Sequence, residues 1–560
     1  MTASHRYALP MFSLKALSLV ALLAIEMPFA ARAANPAKMA AAARFDLSST
    51  NVNLSRTAVL DGSGQIERMG WVQGEAKNRG YTANFSISPY AWSELKIRFI
   101  PEANGIVQLK LMGPYEAAPG GDLYQEEVLW DKLSVEGASI KNGSFEEKSS
   151  DWLGGLIETG NLALEGTSYA RTWHNRTVTT QFQVRKAEPV TLTLFARAQV
   201  PEGFLEMRRL PSNSRGFAAA AKFRRGANLG NYLEAPPGQD WGMHYSREDF
   251  VNIRKEGFDH VRIPVGWHHY TSGAPDFKLK PEIFAKVDFL VTNALAQGLN
   301  VIVNIHHFDA FTSNPESQKA RFNALWQQIA AHYKDASEAV AFELLNEPKD
   351  KATTSVLNPI FAETIQLIRR TNPTRTIFLG PGKWNSTDEL PSLQLPDDDE
   401  NLIVTVHCYD PFYFTHQGAT WSGPDTAVRG IVFPGPPAKP LVPDFSLELK
   451  AGVLDWIQRY NFQPAENNPS SPKAFRPKLK RAREWSAYYG RPIHVGEFGA
   501  FVGADPQSRA NFYREFRKAL DEFDLGWALW DWKAGFKYWD EPANGPAPGM
   551  RDALFGSKGR

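Results

Sequence analysis

Leu344-Leu345-Asn346-Glu347-Pro348 and Val495-Gly496-Glu497-Phe498-Gly499 each close an apolar, strand-like run on a glutamate. Two carboxyls delivered from separate strand ends can break a glycosidic bond, one as proton donor and the other as attacking group. That chemistry requires the intervening chain to bring both side chains to one pocket.

Apolar, β-rich runs recur on either side of the first string. Eight strand candidates lie at 225–229, 260–265, 301–306, 339–346, 376–379, 402–407, 493–497 and 527–531. Helical periodicity fills most gaps between them, at 282–297, 320–333, 359–370 and 506–523. The alternation predicts a parallel sheet, and eight strands with helical crossovers predict a (β/α)8 barrel over 215–560. An open doubly wound sheet is the rival, but no Gly-rich phosphate turn follows the first strand. The longest gap, 408–491, begins with aromatics and a proline-rich stretch and carries two helical segments, at 446–460 and 478–489. A loop of that length at the catalytic end of a barrel is a place for substrate selection.

Before the barrel the texture is all-β. Short alternating runs at 94–100, 107–111, 178–184 and 190–196, divided by Gly, Asn and Pro clusters, predict a sandwich over 44–205. Val128–Val135 and Asn142-Gly143-Ser144-Phe145-Glu146 resemble the closing and opening strands of carbohydrate-binding modules, as one sandwich or as a complete unit followed by a partial one. Trp71, Tyr90, Trp92, Trp152 and Trp173 are candidate sugar platforms there, with core packing as the alternative for each. Further upstream, His5, Arg6 and Lys15, the apolar run 16–25 and Ala31-Arg32-Ala33 predict a signal peptide over 1–33 with a linker at 34–43, hence a secreted (periplasmic or extracellular) protein.

Composition narrows the function classes. The 560 residues are 43% hydrophobic and 22% charged, an ordinary globular balance. A formal net charge of +1 argues against nucleic acid or an anionic membrane as partner. Cys408 is the sole cysteine, so no intrachain disulfide forms. No cysteine or carboxylate spacing around His306, His307 and His407 supports a metal site, and hydrolysis by two carboxyls and water calls for no cofactor. Nothing in the sequence speaks to oligomeric state.

Polar residues gather at the ends of the predicted strands: Arg262, His306, Asn346, Glu347, His407, Tyr409, Glu497 and Trp530. Barrel chemistry sits at those ends. In order along the chain, Arg-Gly-Ala-Asn-Leu-Gly (225–230), Val-Arg-Ile-Pro (261–264), Ile-His-His (305–307), Leu-Asn-Glu-Pro (345–348), Val-His-Cys-Tyr (406–409), Gly-Glu-Phe-Gly (496–499) and Trp-Ala-Leu-Trp-Asp (527–531) resemble the motifs of glycoside hydrolase family 5, the cellulase family.

The resemblance implies a retaining glycosidase acting on a polysaccharide, with an endo-β-1,4-glucanase as the leading reading. Xyloglucanase, β-mannanase and β-1,3-glucanase are alternatives within the family, and a catalytically silent carbohydrate-binding protein is an alternative outside it. It further implies Glu347 as acid/base, Glu497 as nucleophile, Asn346 on the sugar 2-hydroxyl, His306 and His407 lining the same subsite, and Trp530 stacked under the sugar. Ionised Glu497 needs donors, for which Arg262 and Tyr409 are the candidates, and its charge is expected to raise the pKa of Glu347. Trp267 and Trp384, after the second and fifth strands, are candidates for outer subsites. Trp532 shares the parity of Trp530 and could face the cleft, whereas Trp527 faces outward. Glu343 is expected to be a structural carboxylate with a buried partner, and Cys408 a packing residue.

Overall fold

The computed structural model describes residues 49–556, except 57–65, 70, 76–79, 88, 102–103, 114–126, 149, 200–206, 445 and 448. The predicted signal peptide and linker lie outside the described residues. No helix among those described is long and apolar enough to cross a membrane.

Among the described residues, twelve strands precede the barrel: β1 (Ser49–Arg56), β2 (Ile66–Met69), β3 (Trp71–Glu75), β4 (Gly80–Ser86), β5 (Ser93–Phe99), β6 (Gly105–Met112), β7 (Val128–Glu136), β8 (Leu153–Gly154), β9 (Leu156–Thr159), β10 (Ser168–Thr172), β11 (Val178–Val184) and β12 (Val190–Ala198). They form two six-stranded antiparallel sheets, β3-β4-β1-β6-β11-β8 and β2-β5-β12-β7-β10-β9. Strict alternation along β5 and β12 turns Leu95, Ile97 and Phe99, and Leu192, Leu194 and Ala196, into one core shared with Val107, Leu109, Trp130 and Phe182. One continuous core across both sheets makes a single sandwich. β7 is a central strand, but Asn142–Glu146 is a turn, with buried Phe145 at φ 58°, rather than a strand.

Of the predicted sugar platforms, Trp152 and Tyr90 are buried in packing. Trp152 is 2% exposed, packs at a tilt against Phe145 with centroids 4.9 Å apart and donates Nε1–H to the Asn142 carbonyl at 2.9 Å. Trp92 is partly buried and donates to the Leu162 carbonyl. Trp173 is likewise partly buried, in a bridge to Arg176. Trp71 lies on β3, and its side chain falls outside the described residues. Tyr90 joins the core of the barrel, with its ring 5.8 and 6.0 Å from those of Tyr488 and Tyr489, while Arg209 lies over Tyr488 at 3.7 Å.

The barrel strands are β13 (Arg225–Asn228), β14 (His260–Ile263), β15 (Asn300–Asn304), β16 (Val340–Glu343), β17 (Ile377–Leu379), β18 (Leu402–His407), β19 (Ile493–Glu497) and β20 (Gly526–Leu529), closed by parallel pairing of β20 with β13. Outward residues such as Val261, Val303, Phe342, Val404 and Trp527 pack under the helices. Inward residues stack in layers. Ile302, Ala341, Phe378 and Ile403 meet Phe223 and Ala219, the latter from helix Arg215–Ala220, and close the bottom. One layer higher the barrel strands present Asn228, Arg262, Asn304, Glu343 and Thr405, all buried. The crossover after β13, which periodicity leaves unassigned, is helix Arg247–Glu256, whose start is fixed by Ser246 N–H donating to Asp249 and whose end is Gly257 at φ 108°.

The Tyr90 contact gives a direct prediction. Tyr90→Ala should cost about 3 kcal/mol and resolve calorimetric unfolding into separate sandwich and barrel transitions, with activity on a soluble substrate unchanged.

Candidate active site

Arg262 is fully buried, and each of its five N–H donors has an acceptor. Nε–H and one Nη2–H grip Glu343 at 2.7 and 2.6 Å. The other Nη2–H reaches Asn346 Oδ1 at 2.6 Å, and Nη1 donates to Asn228 Oδ1 at 2.8 Å and to Glu497 Oε1 at 2.7 Å. The guanidinium thereby joins β13, β16 and β19 through side chains. Asn228 extends the link by donating to the Gly496 and Leu529 carbonyls. Glu343, 1% exposed, has its expected buried partner in Arg262 and no place in the pocket.

Glu497 is held from its other side by Tyr409, whose hydroxyl donates to Oε2 at 2.9 Å. A register shift between Val406 and His407 sets His407 opposite Glu497 across the β18–β19 pair. Gly496 makes this fit: a Cβ there would stand 2.4 Å from Thr405 Oγ1 and 3.0 Å from His407 Nε2.

Glu347 follows β16 with φ at +46°, an unfavourable conformation for a side chain of this size. Its N–H donates to Asn385 Oδ1 at 2.7 Å, and Trp384 N–H donates to the Pro348 carbonyl at 3.0 Å, so the turn is locked from the β17 loop. Gly380 allows that lock, since a Cβ there would meet Asn385 Nδ2 at 1.9 Å. The Glu347 carboxyl faces His407 Nδ1 at 2.9 Å. Carboxylate oxygens of Glu347 and Glu497 and a ring nitrogen of His407 all lie within 4.8 Å of one another. These three could geometrically hold a cation, but the Arg262 guanidinium already occupies one side of Glu497 and His407 is engaged with Glu347.

Burial dominates the electrostatics. It raises the pKa of Glu347 above the usual carboxylate value, with His307, Arg262 and Lys349 opposing. The expected cause, the charge of Glu497, is therefore not the main one. Burial also raises Glu497, with Glu347 adding to it, while His407, Arg262 and the Tyr409 hydrogen bond draw it back. His407 itself is pushed down to about 4 by burial, so near neutral pH it is uncharged and Arg262 is the permanent cation beside Glu497.

The remaining predicted residues divide. His306 is buried, close to Asn346 Nδ2 at 3.4 Å and Asn304 Nδ2 at 3.3 Å, and lies parallel to Trp530 with centroids 5.6 Å apart. Trp530 is partly exposed at the mouth, and its indole passes so close to Gly230 that a Cβ there would stand 2.9 Å from it. Trp384 is 55% exposed beside the Glu347 turn. Trp267 is not available to a sugar: it is 0% exposed, its Nε1–H donates to the Asn304 carbonyl and its ring packs on Phe284. Trp532 is also fully buried, donating to Asp249 and stacked on Tyr538 and Trp539. Strand β20 ends at Leu529, so alternation no longer governs residue 532. Trp527 packs outward against Phe498 and Phe555, as expected. Cys408 is buried and burial pushes its thiol up to about 12, which suits packing. Asn228, Asn304 and Asn385 escaped the sequence reading. The inward parity of the first two along their strands was the available signal.

Two outcomes follow from this geometry. Glu343→Gln should lower stability by about 3 kcal/mol, because it strips a charge from a buried pair, read by denaturant unfolding. Tyr409→Phe removes a donor that favours charged Glu497, so the acid limb of the pH–rate profile should move to higher pH, with kcat down about 10²-fold.

Comparison with known proteins places this geometry in context. Residues 221–535, more than half the chain, match the family model "Cellulase (glycosyl hydrolase family 5)". Endoglucanase H of Acetivibrio thermocellus is 30% identical over 319 residues, covering 56% of this chain but only 30% of that protein. Endoglucanase C of the same organism is 29% identical over 329 residues, covering 56% of this chain and 91% of that protein. Among solved structures, Cel5A of Thermotoga maritima in complex with mannotriose is 33% identical with a TM-score of 0.52, over 61% of this chain and all of that one. The barrel, the paired glutamates and the family match agree: this chain belongs to the cellulase family, glycosyl hydrolase family 5.

Proposed function

We propose that the chain is a retaining endo-β-1,4-glucanase acting outside the cytoplasm on a soluble or fibrous β-glucan. The observation that carries this reading is the approach of Glu347 and Glu497 within 4.8 Å. Retaining glycosidases hold their carboxyls about 5–5.5 Å apart, and inverting ones about 6.5–9.5 Å, to admit a water. Glu347, its pKa raised by burial, protonates the leaving oxygen, while Glu497, held ionised by Arg262 and Tyr409, attacks the anomeric carbon. Glu347 then takes a proton from water, which releases the sugar from Glu497. Asn346, its Oδ1 engaged by Arg262 and its Nδ2 3.4 Å from His306 Nε2, has a second amide N–H to offer a sugar hydroxyl. Trp530 offers the sugar a flat face.

Internal cleavage is supported by exposed aromatics on loops after the barrel strands. Among the described residues, the tryptophans that stay exposed are Trp241, Trp384 and Trp421, and all three lie on loops after barrel strands. They follow β13, β17 and β18, on opposite sides of the closed ring, so aromatic surface flanks the carboxyls on both sides. The export signal read in residues 1–33 supports an extracytoplasmic site of action. Structures of the Thermotoga maritima relative carry either mannotriose or cellobiose, which makes β-mannan the second substrate to test.

Glu497→Ala should fold normally yet lose nearly all turnover. The wild type should release oligosaccharides of mixed length from carboxymethyl cellulose, with the first product in the β-anomeric form by NMR. An α-anomeric first product would mean inversion and would defeat the mechanism. Activity restricted to mannan would shift the substrate while leaving the mechanism intact.

A further inference from the structure

Three buried side-chain atoms inside the barrel have no hydrogen-bond partner among the described residues: His407 Nε2 and Thr405 Oγ1 on β18, and His494 Nδ1 on β19. They are neighbours. Thr405 and His407 share the inward parity of β18, and their two atoms lie 2.4 and 3.0 Å from the point where Gly496 would carry a Cβ. Thr405 and His494 are paired directly across β18 and β19, and His494 has the inward parity of Gly496. Orphaned buried polar atoms are rare in native proteins, and three in a row satisfy one another, directly or through a water.

Bonds at either end extend this row. Above it, His407 Nδ1 faces Glu347 Oε1 at 2.9 Å. Below it, His494 Nε2 faces His260 Nε2 at 3.2 Å, and His260 Nδ1 faces Asp259 Oδ1 at 2.5 Å. Both lower imidazoles are buried against the barrel floor, His260 on Phe223 and His494 on Phe378. Asp259 stands at the edge of that floor, 30% exposed, and accepts the backbone N–H groups of Arg224 and Arg225. Glu347, His407, Thr405, His494, His260 and Asp259 thus form one file through the barrel, from the catalytic mouth to the opposite end.

The file has a direction. As a carboxylate Asp259 only accepts, so with one proton per imidazole His260 carries its proton on Nδ1 and offers Nε2 as an acceptor. His494 then donates from Nε2, which leaves its Nδ1 to accept from the Thr405 hydroxyl. The Thr405 oxygen accepts in turn from His407 Nε2, and His407 Nδ1 turns a lone pair toward Glu347. Only a protonated Glu347 satisfies that lone pair. Ionised Glu497, with Oε2 3.7 Å from the same nitrogen, favours the opposite tautomer, so the polarity has to come from below.

We propose that Thr405 is a positioning residue that sets the tautomer of His407, and that through it the Asp259 carboxylate at the foot of the barrel keeps the proton on Glu347. This rests on the glycanase reading above, in which Glu347 is the acid. The same polarity serves the second step. Once Glu347 has passed its proton to the leaving oxygen, the lone pair on His407 Nδ1 repels the new carboxylate and favours recovery of a proton from the attacking water.

The test labels the histidines with isotopic nitrogen, reads their tautomers by NMR, and assigns the three signals with His260→Gln, His407→Gln and His494→Gln. The wild type should carry the proton on Nε2 in His407 and His494 and on Nδ1 in His260. Thr405→Val should lower kcat on a soluble β-glucan about tenfold, the rate equivalent of one hydrogen bond, with KM unchanged and the Nε2–H signature of His407 lost. Thr405→Ser should restore both. Asp259→Asn, which can donate an amide N–H to His260, should move His407 to Nδ1–H even if Thr405→Val fails to fold. A wild-type His407 protonated on Nδ1, full kcat in a folded Thr405→Val, a loss that Thr405→Ser shares, or an unmoved His407 in Asp259→Asn each overturns the proposal. A wild type with the expected tautomers but inactive on β-glucan and β-mannan would instead overturn the hydrolase reading on which it stands.

Discussion

A single buried guanidinium organises this barrel. Arg262 is surrounded by Glu343, Glu497, Asn228 and Asn346 and has no donor left over. A lone cation in the interior would be prohibitively costly, and so would either carboxylate without it. The three charges are therefore interdependent: Glu343 anchors the arginine bidentately, which leaves the outer edge of the fork to orient Glu497 and Asn346. The barrel supplies the rest by geometry, since alternation along each strand stacks an apolar floor beneath this polar layer.

Rigidity at the second glutamate comes by a different route. Glu347 sits in a left-handed backbone conformation that its own sequence does not favour, and the β17 loop holds it there through Asn385. One carboxyl is fixed by charge and the other by a backbone lock, which suits their different tasks. In the proposed mechanism Glu497 works ionised beside the Arg262 cation that opposes its burial, whereas Glu347 keeps its proton in a site where burial discourages its loss.

Much of this was legible in the sequence. β18 and β19 have the predicted bounds, 402–407 and 493–497, because their apolar runs stop abruptly at His407 and Glu497. Arg262 and Tyr409 follow from asking what an ionised Glu497 would need. The aromatics were harder to read. Whether a loop tryptophan faces water depends on partners far away in sequence: Trp267 finds the Asn304 carbonyl, Trp532 finds Asp249, and Tyr90 finds Tyr488 and Tyr489 on the barrel. Local pattern holds no record of such contacts. Asn385 was hidden for the same reason, since its role appears only when the turn that carries it is set against Glu347.

The most direct test of the central claim is to trap the covalent intermediate with an activated 2-deoxy-2-fluoro-β-cellobioside and locate the added mass by peptide mass spectrometry. The account predicts a single sugar ester on Glu497, formed at a rate that collapses in Arg262→Lys. A label on Glu347 or another residue, or turnover with no ester formed at all, would contradict it.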